Sequence, residues 1–179
     1  MRHTGSLRES GRDMVFMMNE LLQLKEGMVV FEVGAGSGYH AATLAEIVAP
    51  DDLPVEKWGH VYSAEIIRSL SVRAWKNLVD TGYDDRVSVL HCDGSSGFPL
   101  NVKADRILVT AAAPSLPKPL AEQVKVGGRI VIPIGSARGL FFAQKLVIAE
   151  KMAEGKFNVK EVADVAFVPL RGRYGWRSW

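Results

Sequence analysis

A short apolar stretch followed by closely spaced glycines constrains the fold of this chain more than any other feature. Residues 28–33 are apolar except for Glu32 and rich in β-branched side chains, are too few for a helix, and run directly into Gly34. They predict a strand buried on both faces, and residues 39–48 after the glycines predict a helix. A glycine-rich turn between a buried strand and a helix is typical of an open α/β sheet, which binds ligands beyond the carboxyl ends of its strands.

The same alternation of strand and helix continues through most of the chain. Further strands are predicted at 60–64, 86–90, 104–110 and 128–134, and further helices at 10–24, 67–80 and 117–124. Five strands that alternate with helices predict a parallel sheet covered on both sides. Residues 140–150 and 158–169 predict two more strands around a turn at 154–156, and we expect them to form an antiparallel hairpin at one sheet edge.

Length and composition predict one domain without a membrane, metal or nucleic-acid partner. The 179 residues fit a single domain, with a helical region at 1–27, an α/β core at 28–135, and a hairpin and tail at 136–179. No apolar run approaches the roughly 20 residues of a membrane helix. Cys92 is the single cysteine, which excludes a disulfide framework and a cysteine-cluster zinc site and indicates a cytoplasmic protein. A net charge of +2 does not indicate a nucleic-acid partner.

The spacing of the glycines excludes two common cofactor loops. A dinucleotide fingerprint needs G-x-G-x-x-G, and Tyr39 stands where its third glycine would fall. A phosphate loop would need Gly-Lys-Ser/Thr, which is absent. Small residues still allow the backbone to approach a ligand, so Gly34, Ala35, Gly36 and Gly38 are candidate ligand contacts.

Carboxylates mark the ends of three successive predicted strands. Glu32 lies in the first strand, Glu65 closes the second beside Ile66, and Asp93 follows the third beside Gly94. Because the carboxyl ends of parallel strands meet at one sheet edge, we expect these acids to share one site. Glu65 is placed to accept hydrogen bonds from ribose hydroxyls, or alternatively to stabilise a helix start, and Asp93 is placed to take an adenine amino group.

One short motif and several longer stretches resemble those of known enzymes. The Glu-x-Gly-x-Gly-x-Gly pattern at 32–38 resembles class I S-adenosylmethionine-dependent methyltransferases. Longer stretches resemble one family, the protein-L-isoaspartate (D-aspartate) O-methyltransferases, and the most specific are Thr-Ala-Ala-Ala-Pro at 110–114 and Phe-Val-Pro-Leu at 167–170. The other matching stretches are 30–42, 61–66, 93–97, 105–109 and 127–135.

The resemblance implies a Rossmann-like α/β fold and a repair enzyme. Its substrates would be damaged peptides and proteins, whose L-isoaspartyl or D-aspartyl carboxylates it esterifies. The cofactor would be S-adenosyl-L-methionine, with S-adenosyl-L-homocysteine as its product. Its predicted ligands are Glu32, Gly34, Ala35, Gly36, Gly38, Glu65, Ile66, Asp93 and Gly94. The predicted catalytic residues, which face the acceptor, are Ser10, Thr110 and Ala111.

A carboxylate acceptor agrees with the residues after the fourth predicted strand. A carboxylate has a pKa of about 4 and is ionised near neutral pH, so its attack on a sulfonium methyl needs no general base. Positioning and desolvation then supply the rate. Residues 110–114 contain no His or Lys and offer backbone donors in a small-walled slot, while His40 is interpreted as a structural or surface residue.

The chain also departs from the family pattern. Only Ser10 is kept from the family's substrate-holding stretch before the first helix, with Arg12 in place of a proline, and Ser10 serves equally well as a helix cap. Ala104 replaces a phenylalanine. Family members also carry a further amino-terminal segment that covers the substrate, and the chain starts almost at Ser10.

These departures leave two other functions open. One is a methyltransferase with the same cofactor and another protein, a small molecule or RNA as acceptor, since the basic aromatic tail at 171–179 could contact RNA through charge and stacking. The other is a cofactor-binding subunit whose acceptor site is covered by a partner chain or a second copy.

Overall fold

The computed structural model describes residues 11–136 and 143–176. The α-helices of this part are α1 (Gly11–Leu22), α2 (Tyr39–Val48), α3 (Arg68–Asp80) and α4 (Lys118–Gln123). The strands are β1 (Val29–Val33), β2 (His60–Glu65), β3 (Val87–His91), β4 (Ala104–Val109), β5 (Val124–Gly135), β6 (Gln144–Ala153) and β7 (Lys156–Val165). Within the described ranges, no helix has the length and apolar character needed to cross a membrane.

The seven strands form one sheet with the order β3-β2-β1-β4-β5-β6-β7. The first five strands are parallel, and β6 runs antiparallel to both β5 and β7. The predicted parallel sheet and edge hairpin are therefore confirmed. The chain moves from β1 to one side of the sheet and returns to β4 on the other side, so the carboxyl ends of β1 and β4 form a topological switch point where such sheets bind ligands.

Both faces of the sheet are covered, which explains why every side chain of β1 except Glu32 is apolar. On one face Phe31 packs against Phe98, with ring centroids 4.3 Å apart, and against side chains of β4 and β5. On the other face Val30 packs against α1 and α2, where Met18 and Leu44 are buried. Cys92 is partly buried against the first of these clusters, as a small core residue would be.

The segment after β7 differs from the prediction. A single strand over 158–169 is wrong for its last residues, because β7 ends at Val165. Pro169 lacks the N–H that would extend the ladder, and its neighbours pair instead with the loop after β4. The Ala112 amide donates to the Val168 carbonyl, and the Leu170 amide donates to the Ala112 carbonyl, both at 2.8 Å. This pairing brings 167–170 to the switch point.

Candidate active site

The glycine loop after β1 contains backbone conformations that residues other than glycine rarely adopt. Gly34, Gly36 and Gly38 have φ angles of 102°, 56° and 86°. A Cβ at Gly34 would lie 2.3 Å from Thr110 Oγ1, and one at Gly38 would lie 3.1 Å from the Ala74 carbonyl oxygen. A Cβ at Gly36 would have no described atom within 4 Å. The first and last glycines therefore allow close packing, whereas Gly36 faces open space.

Glu65 ties the end of β2 to this loop. Its side chain is nearly buried, with one carboxylate oxygen accepting from the Gly36 amide at 3.1 Å and the other from the Ile67 amide at 3.0 Å. Each oxygen has a second acceptor position, so the carboxylate can also receive hydroxyl donors from a ligand. Glu65 lies at the carboxyl end of β2 beside the glycine loop, and its ribose-binding role stays a prediction.

Glu32 is a fully buried carboxyl group with one oxygen lacking a partner. Ser63 donates to Oε2, while Oε1 has no hydrogen bond within the described structure. Burial raises the pKa of Glu32 to about 8 against the opposing effect of the Ser63 hydrogen bond, and the charge of Glu65 raises it further. An unpartnered buried carboxyl oxygen costs free energy until a donor reaches it. The unpartnered oxygen suits a cationic donor such as a ligand ammonium, but Glu32 is fully buried and lines neither of the cavities that adjoin the glycine loop.

A cavity of about 570 Å³ lies at the carboxyl ends of β1, β2 and β4. Its volume falls within the roughly 300–1,000 Å³ of small-molecule sites. Its lining includes seven of the predicted site residues, Gly34, Gly36, Glu65, Ile66, Gly94, Thr110 and Ala111. The rest of its lining is Val33, Ile67, Leu70, Val168, Pro169, Leu170 and Arg171.

A second cavity of about 400 Å³ adjoins the first and shares Gly34, Gly36 and Thr110 with it. Its other lining residues come mainly from α1, the glycine loop and the segment after β7, and are Met14, Val15, Met18, Ala35, Ser37, Tyr39, His40, Ala166 and Phe167. The two cavities meet at the glycine loop, so two ligands, one in each cavity, would lie next to each other.

His40 borders the second cavity as a neutral side chain. Its Nε2 lies 2.9 Å from Asn19 Oδ1, while Asn19 Nδ2 donates to Thr43 Oγ1 at 3.1 Å. The Thr43 hydroxyl donates in turn to the His40 carbonyl oxygen, so Asn19 Oδ1 is the acceptor and His40 Nε2 carries the hydrogen. Burial lowers the pKa of His40 to about 4, which makes it a weak base at neutral pH.

Residues 110–113 use most of their donors within the fold. The Thr110 hydroxyl lies 3.0 Å from the Val33 carbonyl oxygen and 2.9 Å from that of Gly34. The amides of Thr110, Ala112 and Ala113 donate to backbone carbonyls of neighbouring segments. The expectation that these three positions offer free backbone donors is therefore wrong, because they hold the loop to its neighbours. The small-walled slot at Ala111 remains.

The other predicted site residues lie in different surroundings. Ala35 lines the second cavity, and Gly38 packs against α3. The Asp93 carboxylate accepts from Ser95, Ser96 and the Arg173 amide, and these hydrogen bonds lower its pKa although partial burial alone would raise it. Ser10 lies outside the described residues.

Several residues that line the cavities are not among the predicted site residues. Residues 168–171 border the first cavity, and His40 and Phe167 border the second. The Phe-Val-Pro-Leu motif at 167–170 indicated a family, but it did not indicate where these residues lie in the fold.

Across residues 11–136 and 143–176 there is no group of three or more His, Cys, Asp or Glu side chains placed to hold a metal ion.

Comparisons with known sequences point to one family. The family model for protein-L-isoaspartate(D-aspartate) O-methyltransferase matches residues 6–175. A protein-L-isoaspartate O-methyltransferase of Korarchaeum cryptofilum is 54% identical over 93% of this chain and 74% of its own length. One of Hyperthermus butylicus is 52% identical over 95% of this chain and 69% of its own length.

Comparisons with solved structures agree on the fold. A structure titled protein-L-isoaspartate O-methyltransferase superimposes with a TM-score of 0.80 and 28% identity over 93% of this chain, which spans 49% of that structure's chain. A Plasmodium falciparum structure described as a putative protein-L-isoaspartate O-methyltransferase in complex with S-adenosyl-L-homocysteine gives a TM-score of 0.71 at 22% identity, over 88% of this chain and 71% of its own. The second likeness concerns the fold alone.

Proposed function

Because the chain belongs to the protein-L-isoaspartate(D-aspartate) O-methyltransferase family, we propose that it methylates the free carboxylate of L-isoaspartyl or D-aspartyl residues in damaged proteins. The methyl donor is S-adenosyl-L-methionine and the product is S-adenosyl-L-homocysteine. The reaction takes place in the cytoplasm and converts the free carboxylate of the damaged residue into a methyl ester. The neighbouring backbone amide nitrogen then attacks the ester, and the residue cyclises to a succinimide with release of methanol.

The residues at the switch point fit this cofactor. Glu65 would bind the ribose hydroxyls, Glu32 would face the methionine ammonium, and the backbone around Gly36 would border the ligand. The cofactor supplies a sulfonium methyl group that a carboxylate oxygen can attack. The open space beside Gly36 and the unpartnered Glu32 oxygen are the two observations that support this fit.

The observation that carries the choice of acceptor is that the described residues lining the two cavities include no strong base. Of the described residues that line them, His40 has a low pKa and its Nε2 hydrogen is engaged by Asn19, and Glu65 holds two backbone amides. Acceptors such as amines or hydroxyls must lose a proton, whereas a carboxylate is already ionised at neutral pH. The site therefore suits an acceptor that needs positioning and exclusion of water more than deprotonation.

Two measurements separate the donor from the acceptor part of this proposal. Calorimetry with S-adenosyl-L-homocysteine tests the cofactor site, and methyl transfer to an isoaspartyl peptide tests the acceptor. We expect binding and transfer. Binding without transfer would retain the cofactor and remove the proposed acceptor, and no binding would remove both.

Replacement of Glu65 tests the ribose assignment. Glu65→Ala should weaken S-adenosyl-L-homocysteine binding by about 1.5–3 kcal/mol, or roughly 10- to 150-fold, the scale of hydrogen bonds to a charged group. Calorimetry should show a smaller loss for an analogue that lacks the 2′-hydroxyl, because the wild-type protein cannot make that contact either. Unchanged affinity in Glu65→Ala would contradict the assignment. An equal loss for both ligands would instead assign Glu65 to holding the Gly36 and Ile67 amides alone.

A further inference from the structure

Two arginines of neighbouring strands reach the carboxyl end of α1. Arg106 of β4 and Arg129 of β5 are paired in the parallel ladder of the sheet. Arg106 donates from Nε to the Leu22 carbonyl at 2.6 Å and from Nη2 to the Gln23 carbonyl at 3.4 Å. Arg129 donates from Nη1 to the Leu21 carbonyl, also at 2.6 Å. Three successive carbonyl groups at the end of one helix are therefore bound by two guanidinium groups.

The carboxyl end of α1 depends on these donors from the sheet. The last carbonyl groups of a helix have no amide partner within the helix, and they form the negative end of its dipole. α1 has no basic residue in its own last turn that could bind them. Gln23, directly after the helix, has a φ angle of 50°, so the chain leaves the helical path there. The arginines therefore supply from the sheet what the helix lacks.

The charges of the two arginines are balanced differently. Arg129 forms an ion pair with Glu150 of β6. Arg106 is partly buried, and its hydrogen bonds go to the carbonyl groups that end α1 and to the Asp105 carbonyl at 2.8 Å. Among the described residues, no carboxylate lies within ion-pair distance of Arg106. The negative end of the helix dipole is therefore the counterpart of this cation.

The amino-terminal half of the same helix forms one wall of the second cavity. Met14, Val15 and Met18 line this cavity. Asn19, one residue further, holds the ring of His40, which also lines it. The 12 residues of α1 form a stiff rod, so a tilt at the carboxyl end moves these side chains at the other end. The groups that fix the carboxyl end therefore help to set the shape of the second cavity.

We propose that Arg106 and Arg129 are positioning residues for the acceptor, because they hold α1 at the angle that shapes the wall of the second cavity. The assignment of this cavity to the acceptor rests on the proposed function, in which the cofactor occupies the first cavity. Neither arginine lines either cavity. The fastening of α1 concerns the ligand-free protein alone and can be measured without a substrate.

Amide hydrogen exchange in the ligand-free protein tests the fastening. Arg106→Met keeps an apolar stem and removes the donors to the Leu22 and Gln23 carbonyls. We expect the amides of residues 17–22 to exchange roughly tenfold faster than in the wild-type protein, while amides of the central strands keep their protection. Unchanged exchange in α1 would overturn the proposal, whether or not the protein methylates a peptide.

The second arginine needs a paired substitution, because its loss alone would leave a carboxylate without its partner. Arg129→Met combined with Glu150→Gln removes the donor to the Leu21 carbonyl and the ion pair together. This double variant should also show faster exchange in α1. Glu150→Gln alone is the control, because it leaves Arg129 in place, and α1 should keep wild-type exchange. Equal exchange in the double variant and its control would overturn the proposal for Arg129.

Kinetics and cofactor binding separate acceptor positioning from a general loss of structure. In Arg106→Met we expect KM for an isoaspartyl peptide to rise roughly tenfold, with a smaller change in kcat, since a displaced wall weakens acceptor binding. The Kd of S-adenosyl-L-homocysteine should change less than about twofold, because α1 lines the second cavity and not the first. An unchanged KM, or an equal loss of affinity for S-adenosyl-L-homocysteine, would overturn the acceptor role.

The two parts of the inference can fail separately from the proposed function. A wild-type protein that binds S-adenosyl-L-homocysteine but methylates no isoaspartyl peptide would remove the proposed acceptor and, with it, the acceptor role of the arginines. The exchange of the α1 amides would still decide whether the arginines fasten the helix.

A conservative variant and a matched control complete the test. Arg106→Lys keeps a positive charge and a donor group at the helix end and should recover most of the lost KM, and no recovery would contradict the proposal. Lys151 is a buried cation that donates to the Ala121 and Val124 carbonyls at the end of α4, each at 3.1 Å, and α4 lines neither cavity. Lys151→Met should therefore lose stability and keep the wild-type KM. A tenfold higher KM in Lys151→Met would assign the effect to a weakened fold and overturn the proposal.

Discussion

Gly36→Val is expected to abolish the binding of S-adenosyl-L-homocysteine. A side chain at Gly36 has no described protein atom within 4 Å of its Cβ and projects into the space where the two cavities meet. It would therefore fill the ligand's place without displacing its own neighbours. We expect calorimetry to show a loss of at least about 1,000-fold in affinity, which corresponds to about 4 kcal/mol.

The control for this variant must carry the same backbone strain. Valine at a positive φ angle is strained wherever it occurs, so a part of any effect could come from a weakened fold. Gly155→Val places valine at a φ angle of 70°, in the turn between β6 and β7, also without a described atom near its Cβ. It should lose stability comparably and keep its affinity. Equal affinities of the two variants would contradict the location of the cofactor.

Glu32→Gln should change how the stability of the protein depends on pH. The folded protein holds the pKa of Glu32 near 8, mainly through burial, whereas the unfolded chain has it near 4.5. The stability that this group contributes is complete below about pH 4.5 and is lost as the pH rises through about 8. Glutamine cannot ionise, so the free energy of unfolding of the variant should exceed that of the wild-type protein increasingly as the pH rises. The difference at pH 8 should be on the order of a few kcal/mol.

Urea unfolding between pH 5 and pH 9 measures this difference. The two proteins should have similar free energies of unfolding at the acidic end, with the variant more stable at the alkaline end. Ser63→Ala is a useful companion, because the Ser63 hydrogen bond favours the charged form of Glu32, and its loss should extend the decline in stability to higher pH. Parallel pH profiles for wild type and Glu32→Gln would show that Glu32 is not held protonated by burial.

The same group should couple cofactor binding to proton release. At pH 7 the Glu32 carboxyl is mostly protonated, and an ammonium group brought to its unpartnered Oε1 would favour the ionised form. Calorimetry of S-adenosyl-L-homocysteine in two buffers with different ionisation enthalpies should therefore detect up to about one proton released per ligand. Glu32→Gln should release none. Equal proton release from the two proteins would place the ammonium elsewhere.

Most of the sheet could be predicted from the sequence because its determinants are local. The apolar stretch at 28–33, the glycines after it and the periodic helix at 39–48 each act within a few residues, and the structure places β1 and α2 there. The hairpin of β6 and β7 likewise follows from two strand-like stretches around a short turn. The boundary after β7 could not be predicted, because the chain leaves the hairpin to pair with Ala112, far away in the sequence.

The surroundings of Asp93 show where prediction from spacing stops. Its position after β3 indicated a ligand contact, and the structure does place the neighbouring Gly94 in the cavity wall. One hydrogen bond that Asp93 accepts comes from the Arg173 amide, 80 residues further along the chain. No local pattern specifies such a contact. The second cavity was missed for the same reason, since α1, His40 and Phe167 meet only in the folded protein.

Methyl transfer to two peptides that differ in one linkage tests the proposed acceptor. The peptides share a sequence and contain either an isoaspartyl or a normal aspartyl residue, and mass spectrometry follows the methyl ester in the presence of S-adenosyl-L-methionine, with Gly36→Val as the blank. We expect ester formation on the isoaspartyl peptide alone. Esterification of both peptides alike, or of neither by a protein that binds the cofactor, would contradict it.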